Sequence, residues 1–587
     1  MNDIKKENIQ ELIDKLPQGN ISCKKINGKV YPYYQWMENG KQRSRVVKKE
    51  ELLDLTLKIE ERKRLQQEQK SIKNDALIFM DSVHYSTVFV GEELKDFVNQ
   101  IEGLKQRDCY KLLNDYVYGN SIDKVFILYG LRRTGKTTLI KQVIYNMKKS
   151  DFDKTAYIKV HSNINLFKIN ADLNDLYKKG YKYVFIDEVT LMNDFISSAS
   201  LFSDVYASKG MKIVLSGTDS LGFIFSQDYE LYDRCFIAHT TFISYHEFYR
   251  VLNIKGIDNY IKYGGTMSMG GFNYNKSSIF YDKKTTEEYI DSAIAHNIQH
   301  SLKNYNNGNH FRNLALLYNQ GELTNVINRV VEHENKKFTI EILTKEFESG
   351  DLSLAAKNLI KDKMYPSDIL FRVDRDGINE WFRRQLDILN TPEMKIKINQ
   401  MHVEEIKEYL QLLDLIKDID VININDFNSK ENVTVITQPG MRFSQATTLI
   451  NALMRDNLFK TLSLKEKNII LDRLMSTIKG KMMEDIVLLE TKMANPQCEV
   501  FKLRFAIGEY DMVVFDPRTS TCKIYEIKYG NEVYPNQYQH LIDETKLKIT
   551  EFRYGDIKKR CVIYNGSTHL ENGIEYINVD EYLLFNN

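Results

Sequence analysis

The sequence predicts an α/β chain centred on a parallel sheet, and three observations predict it. Short apolar strands alternate with helical stretches from about residue 76 to 250, the pattern of a parallel α/β layer. One strand, Val125-Phe-Ile-Leu-Tyr, runs into Gly130-Leu-Arg132-Arg133-Thr134-Gly135-Lys136-Thr137-Thr138 and then an amphipathic helical stretch. A later strand, Tyr183-Val-Phe-Ile-Asp187-Glu188, ends in two carboxylates.

Around this layer the 587 residues divide into further segments, as a length of about 150 residues per domain implies. Residues 1–75 read as a small basic and aromatic β-meander with a charged helix. Residues 76–250 hold the parallel layer, 251–475 are mostly helical with Asn- and Gly-rich breaks, and 476–587 follow the order helix, strands, helix, strand. Lys plus Arg number 81 against 80 Asp plus Glu, a net charge of +1, which excludes a polycation held on nucleic acid by bulk charge. An apolar fraction of 43% with 8 prolines excludes a disordered or fibrous chain. No apolar run approaches the roughly 18 residues of a membrane span. Met1 to Lys15 lacks the apolar stretch of a signal peptide, so a cytoplasmic location is expected. The six cysteines form no CxxC pair and the eleven histidines no HExxH; a metal is expected through carboxylates and phosphates.

The loop at 130–138 fits GxxxxGK[ST] between a strand and a helix. Glycines let backbone N–H groups turn inward around a phosphate at a helix N-terminus that already favours anions. Gly130, Arg132, Arg133, Thr134, Gly135, Lys136, Thr137 and Thr138 are therefore expected to bind ATP, with Lys136 on the β/γ-phosphates and Thr137 on Mg²⁺. Asp187, 51 residues beyond Lys136, is expected to hold Mg²⁺ through water, and Glu188 to polarise the attacking water. The next apolar strand ends in Ser216-Gly-Thr218-Asp219-Ser220. At the carboxyl edge of a parallel sheet, Ser216 or Thr218 is placed to sense the γ-phosphate, with a turn and capping hydroxyls as the equal alternative.

Gly-Leu-Arg-Arg-Thr-Gly-Lys-Thr resembles the GxRRxGKT loop of prokaryotic archaeal-type AAA ATPases. Leu231-Tyr-Asp-Arg234 followed by Phe242-Ile-Ser244-Tyr-His-Glu247-Phe248 resembles that family's "GR…LSFxEF" segment, and Tyr263-Gly264-Gly265 its lid entry. The resemblance implies a helical lid, Mg²⁺-dependent ATP hydrolysis, and an Arg234 near the nucleotide of its own or a neighbouring subunit. Asp233 stands where that family has glycine. The family carries a winged helix in the middle region, matched here by a helical repeat at 402–418 followed by two strand-like runs, Val421-Ile-Asn-Ile and Val433-Thr-Val-Ile. Five acids (Glu404, Glu405, Glu408, Asp414, Asp418) against Lys407 and Lys417 favour a packing or partner-facing role over DNA reading.

The C-terminal segment has Glu484 on a helix, Asp511 beginning an apolar strand, and Glu526-Ile-Lys528 on the next. Period two puts Glu526 and Lys528 on one face, and two carboxylates with a lysine can serve a Mg²⁺-activated water. The pattern resembles the PD-(D/E)XK nuclease fold. That resemblance implies Asp511 and Glu526 as ligands of Mg²⁺ or Mn²⁺, Glu484 as a supporting ligand, and Lys528 beside the scissile phosphate. A salt bridge from Lys528 that fills the site would instead favour a fold that binds without cutting.

Residues 20–49 carry eight basic side chains against Glu38 alone, interleaved with Tyr31, Tyr33, Tyr34 and Trp36. Asn27-Gly28 and Asn39-Gly40 are hairpin turns, so three strands are expected. DNA binding by that sheet and plain packing of its aromatics on the following helix stand level. Two readings follow for the whole chain. One is an ATPase whose cycle controls a DNA nuclease, in defence or mobile-element biology. The other is an ATP-dependent switch that binds a partner or assembles with itself and does not cut.

Overall fold

In the computed structural model the basic, aromatic stretch near the N-terminus forms three antiparallel strands, β1 (Asn20–Ile26), β2 (Lys29–Glu38) and β3 (Lys41–Val46), in that order. Ile26 pairs with Lys29 and Glu38 with Lys41, the registers that two-residue hairpin loops impose. The turn residues at 27–28 and 39–40 themselves lie outside the described residues. Period two brings Tyr34 and Trp36 to one face, stacked at 5.0 Å, where Tyr34 packs with Val47, Leu55 and Ile59.

The chain divides into two units, Met1–Tyr85 and Ser86–Asn587. The structure describes residues 16–26, 29–38, 41–48, 51, 54–56, 58–59, 61–63 and 84 of the first. It describes the second except 162–163, 193, 196–198, 219–222, 224–230, 268–279, 281, 305–310, 350–373, 388–395, 425 and 586–587.

In the second unit the predicted parallel layer is a six-stranded sheet of β4 (Thr87–Phe89), β5 (Val125–Tyr129), β6 (Thr155–Lys159), β7 (Tyr183–Asp187), β8 (Lys212–Gly217) and β9 (Cys235–His239). Its order is β4-β6-β7-β8-β5-β9, parallel apart from β4. Both faces are covered, so the strands are apolar on both: Val125 and Ile127 enter one core, Phe126 and Leu128 the other. Helix α1 (Lys136–Tyr145) leaves β5, and the chain next enters the sheet three strands away. The loop before α1 therefore opens into the crevice at a switch point, where doubly wound sheets bind ligands.

Helices α2 (Tyr245–Leu252), α3 (Ile257–Tyr263), α4 (Leu323–Ser349), α5 (Gln400–Leu412), α6 (Pro439–Arg455) and α7 (Leu464–Ala494) follow. The last sheet has eight strands: β10 (Ile416–Asn423), β11 (Asp426–Ile436), β12 (Glu499–Arg504), β13 (Glu509–Asp516), β14 (Thr521–Lys528), β15 (Asp556–Tyr564), β16 (His569–Glu571) and β17 (Ile574–Asn578). Its order is β11-β10-β12-β13-β14-β15-β17-β16. Helices α8 (Glu544–Tyr554) and α9 (Val579–Phe585) complete it.

The hairpin expected as the wing of a winged helix does not stand free. β10 pairs in parallel with β12, Val421 opposite Lys502 and Asn423 opposite Arg504, so the hairpin extends the C-terminal sheet. Pairing satisfies an edge that would otherwise expose a row of N–H and C=O groups. Residues 475–476, the boundary drawn from the sequence, lie inside α7. One continuous core joins α2, α3, α6 and α7 to the C-terminal strands through Phe248, Tyr260, Leu453, Ile478, Met512 and Ile563.

Candidate functional site

The loop after β5 has the backbone an anion cradle needs. Gly130, Arg133 and Gly135 take φ of 150°, 64° and 88°. At Gly130 a Cβ would lie 2.4 Å from the Thr240 hydroxyl, so only glycine fits. Lys136 folds back so that Nζ donates to the Gly130 and Leu131 carbonyls, each at 2.9 Å. Burial pushes its pKa down to about 8, against the pull of Glu188 and Asp187. Thr138 is half-buried on the first turn of α1, and Arg132 and Arg133 are exposed.

Asp187 ends β7, 2% exposed, and collects donors from four places. The Thr137 hydroxyl donates at 2.8 Å, Tyr157 at 2.7 Å and the Glu188 N–H at 3.1 Å; the Ser216 hydroxyl also donates. All four donors are neutral groups. Glu188 follows at φ 58°, its Oε2 accepting from Thr218 at 3.4 Å. Burial and the Asp187 charge raise the Glu188 pKa, the opposing cations notwithstanding. Ser216 and Thr218 thus serve the two acids, while Asp219 and Ser220 lie outside the described residues.

Lys136, Thr137, Asp187 and Glu188 are brought together as the spacing predicts; Arg234 is not. It precedes β9, which runs parallel to β5 with Cys235 opposite Val125 and His239 opposite Tyr129. Arg234 therefore sits at the other end of the sheet from Gly130, about 20 Å away at roughly 3.3 Å per residue. There it pairs with Asp204 at 3.0 Å, out of reach of the phosphate loop of its own chain. Asp233 takes φ 54°, the conformation that makes glycine the usual residue at such a position.

Two residues escaped sequence reasoning. Tyr157 lies opposite Phe185 in the β6–β7 register, on the face that Asp187 shares by period two; one polar tip inside an apolar strand was the available signal. Arg107 sits in a polar run before β5 with no local pattern to mark it. It is 7% exposed, and its five N–H groups are all used. Nε and Nη2 grip the Glu247 carboxylate at 2.8 and 2.7 Å. Nη1 donates to Thr134 O at 2.6 Å and Thr240 O at 2.8 Å, and Nη2 to Phe242 O at 3.0 Å. Glu247 and Ser244 belong to the segment quoted above for its resemblance; Ser244 caps α2 by accepting from the Glu247 N–H.

These residues fit Mg²⁺-ATP. The arch and Lys136 would hold the phosphates, and Thr137 with Asp187 the cation, which supplies charge neutralisation on the phosphate oxygens when bound.

The C-terminal site is arranged differently. Lys528 Nζ lies 2.8 Å from Asp511 and 2.7 Å from Glu526, so the three predicted groups do converge. Asp511 also accepts from the Ile527 N–H at 2.8 Å. Burial acts to raise the Asp511 pKa, but Lys528 and Lys502 hold it down at about 2. Burial and Asp511 push Glu526 up to about 9, against Lys528; Glu526 Oε1 has no hydrogen-bond partner. Glu484 is not directed at a shared cation. Lys502, 3% exposed, and Lys481, at 2.8 Å, take its carboxylate. Among the described residues, no three His, Cys, Asp or Glu side chains gather to hold a metal. Lys528 stands between Asp511 and Glu526, and two ammonium groups take Glu484, so the residues as placed do not fit a divalent cation.

Against known proteins, the likeness covers five of the six strands, β5 to β9, and the phosphate loop. Residues 122–249 match the family described as an AAA domain. This segment is similar to P-loop domains of the AAA type. Residues 1–57 match a domain of unknown function, DUF6788. No curated protein matches the chain. A solved structure, that of the Aeropyrum pernix ORC1 protein in complex with DNA, is similar at 12% identity, covering 64% of this chain and 97% of that one, with a TM-score of 0.20. Among the described residues no helix is long and apolar enough to cross a membrane.

Two expectations follow. Arg107→Ala leaves the Glu247 carboxylate buried without its cation and should cost about 3–5 kcal/mol, read as a lowered urea midpoint. ATP affinity should fall as pH rises past about 8, the Lys136 pKa, by up to about tenfold per unit. The reason is that only the ammonium form attracts phosphate. Nucleotide titrations at pH 7, 8 and 9 check it, with Lys136→Arg expected to flatten the profile.

Proposed function

We propose that this chain is an ATP-driven switch: the AAA-type domain binds and hydrolyses Mg²⁺-ATP, and the C-terminal sheet answers its state without cutting a substrate. The single observation that carries the ATPase half is the 2.8 Å hydrogen bond from the Thr137 hydroxyl to Asp187. It joins the loop to the acid strand at the one place a phosphate-bound cation requires both. Lys136 would leave the Gly130 and Leu131 carbonyls for the β- and γ-phosphates. Glu188 would accept a proton from water, and the burial and the Asp187 charge that raise its pKa make it a stronger base. The Thr218 hydroxyl and the αL backbone hold its carboxylate in place. The switch half rests on Lys528, whose ammonium bridges the two acids that a nuclease would need for metal.

Lys136→Ala should abolish ATP turnover and Glu188→Gln should retain binding while losing about 10²–10⁴-fold in rate. A phosphate-release assay beside nucleotide binding checks both; wild-type rates in the two variants would remove the site assignment.

A second reading, Mg²⁺- or Mn²⁺-dependent DNA cleavage, has one observation in its favour. Asp511, Glu526 and Lys528 meet at one point, and Glu526 Oε1 is left without a partner. DNA would then be held through the basic N-terminal strand pair, where Arg43 and Arg45 are exposed. On this reading Asp511 and Glu526 would hold Mn²⁺ once Lys528 moves aside, and the chain nicks DNA when Mn²⁺ is supplied. Asp511→Ala loses metal and cleavage together, and removal of residues 1–85 weakens DNA binding most at low salt. The switch reading expects no nick from wild type at any Mn²⁺ concentration.

A further inference from the structure

We propose that helix α3 is a strut through which the phosphate loop and the acid–lysine cluster sense each other; the inference rests on the ATP-switch reading above. Its first turn is hydrogen-bonded to the residue that follows Lys528, and the chain four residues beyond its last turn is hydrogen-bonded to the phosphate loop. In its first turn, Asp258 Oδ1 accepts from the Tyr529 hydroxyl at 2.7 Å and pairs with Lys479 at 2.8 Å. Tyr529 is the residue after Lys528, the ammonium that bridges Asp511 and Glu526. The same turn is held from the C-terminal side by Asp580, which accepts from the Ile257 N–H at 2.9 Å and the Tyr245 hydroxyl at 2.7 Å.

At the other end α3 runs through Gly264 and Gly265 to Met267, whose N–H donates to the Arg133 carbonyl at 2.9 Å. Arg133 is the positive-φ residue at the crown of the phosphate loop. The pivot between helix and loop is fixed on its outer side. Gly265 takes φ 109°, its carbonyl accepts from Gln438 Nε2 at 2.9 Å, and a Cβ there would lie 2.5 Å from Gln438 Cβ.

Between these ends the helix has no freedom to absorb a displacement. Its seven residues span roughly 10 Å, and Tyr260 and Ile261 are buried in the core shared with α2, α6 and α7. Close-packed interiors shift as units instead of deforming continuously. Phosphate oxygens drawing on the arch would reorient the Arg133 peptide, pull on Met267 and move Asp258 against Tyr529. Position at Tyr529 sets where Lys528 stands between its two acids. By linkage the effect runs both ways, so the occupant of the C-terminal cluster alters nucleotide affinity by the same factor.

The test uses the full chain with Mg²⁺ and a non-hydrolysable ATP analogue. Amide hydrogen exchange is followed at 130–138 and at 509–529, in wild type, Asp258→Asn and Tyr529→Phe. Asp258 has 47% of its side chain exposed, so its substitution leaves the core intact, and matching thermal melts confirm this for both variants. The strut predicts that the analogue slows exchange about fivefold or more at both segments in wild type. Both variants should still bind the analogue and protect 130–138, yet show no change at 509–529. Protection confined to 130–138 in wild type overturns the strut and leaves the ATP-switch site standing. So does a full response at 509–529 in both variants. No analogue binding by wild type overturns the ATP reading itself.

Discussion

A buried ion pair between residues 140 positions apart holds the nucleotide-binding end of this protein together. Removing a guanidinium and a carboxylate from water is costly, and the cost is offset only if every donor is met. Arg107 meets that condition: two N–H groups on Glu247 and three on the carbonyls of Thr134, Thr240 and Phe242. The segment before β5, the phosphate loop, the end of β9 and helix α2 thereby converge on one side chain. There is a consequence for the loop itself. A trans peptide points its carbonyl and N–H in opposite directions, so taking Thr134 O from outside turns the Gly135 N–H inward, toward where a phosphate sits.

The two acidic centres differ in what neutralises them, and that difference separates their chemistry. Asp187 is surrounded by hydroxyls and an N–H, which stabilise a carboxylate without cancelling its charge; it remains able to attract a cation. Asp511 and Glu526 share an ammonium, and Glu484 is taken by two more. There Lys528, half-buried and stabilised in its charged form by its two acids, stands where a metal would bind. Residue types at the right spacing are common to both centres. Only the identity of the third partner distinguishes a cation site from a closed salt bridge.

Helices α2 and α3 explain why the C-terminal sheet is not an appendage. Glu490 of α7 accepts from the Tyr245 N–H at the start of α2, at 2.6 Å, and Asp580 does the same for Ile257 at the start of α3. Carboxylates at helix N-termini complement the exposed N–H groups and the macrodipole. Both helices are therefore anchored by acids from the C-terminal part while their other contacts reach the phosphate loop. The hairpin of β10 and β11 adds a further tie by completing the same sheet.

Local sequence was sufficient wherever a function is built from consecutive residues. The strand, arch and helix at 125–145, the acids closing β7 and the three N-terminal strands were all legible, because backbone conformation, periodicity and turn chemistry act over a few residues. Period two also placed Asp511, Glu526 and Lys528 near one another. Tertiary structure alone decided the rest. It set which sheet the 416–436 hairpin joins, which end of β9 carries Arg234, that Arg107 and Tyr157 serve the loop and Asp187, and that Lys528 closes on its acids. Each of these depends on strand order or on a contact between separate elements: Tyr157 and Asp187 stand 30 positions apart, Arg107 and Glu247 140, and Lys528 and Asp511 17. Pattern along a chain records which residues share a face, but not which other face it meets.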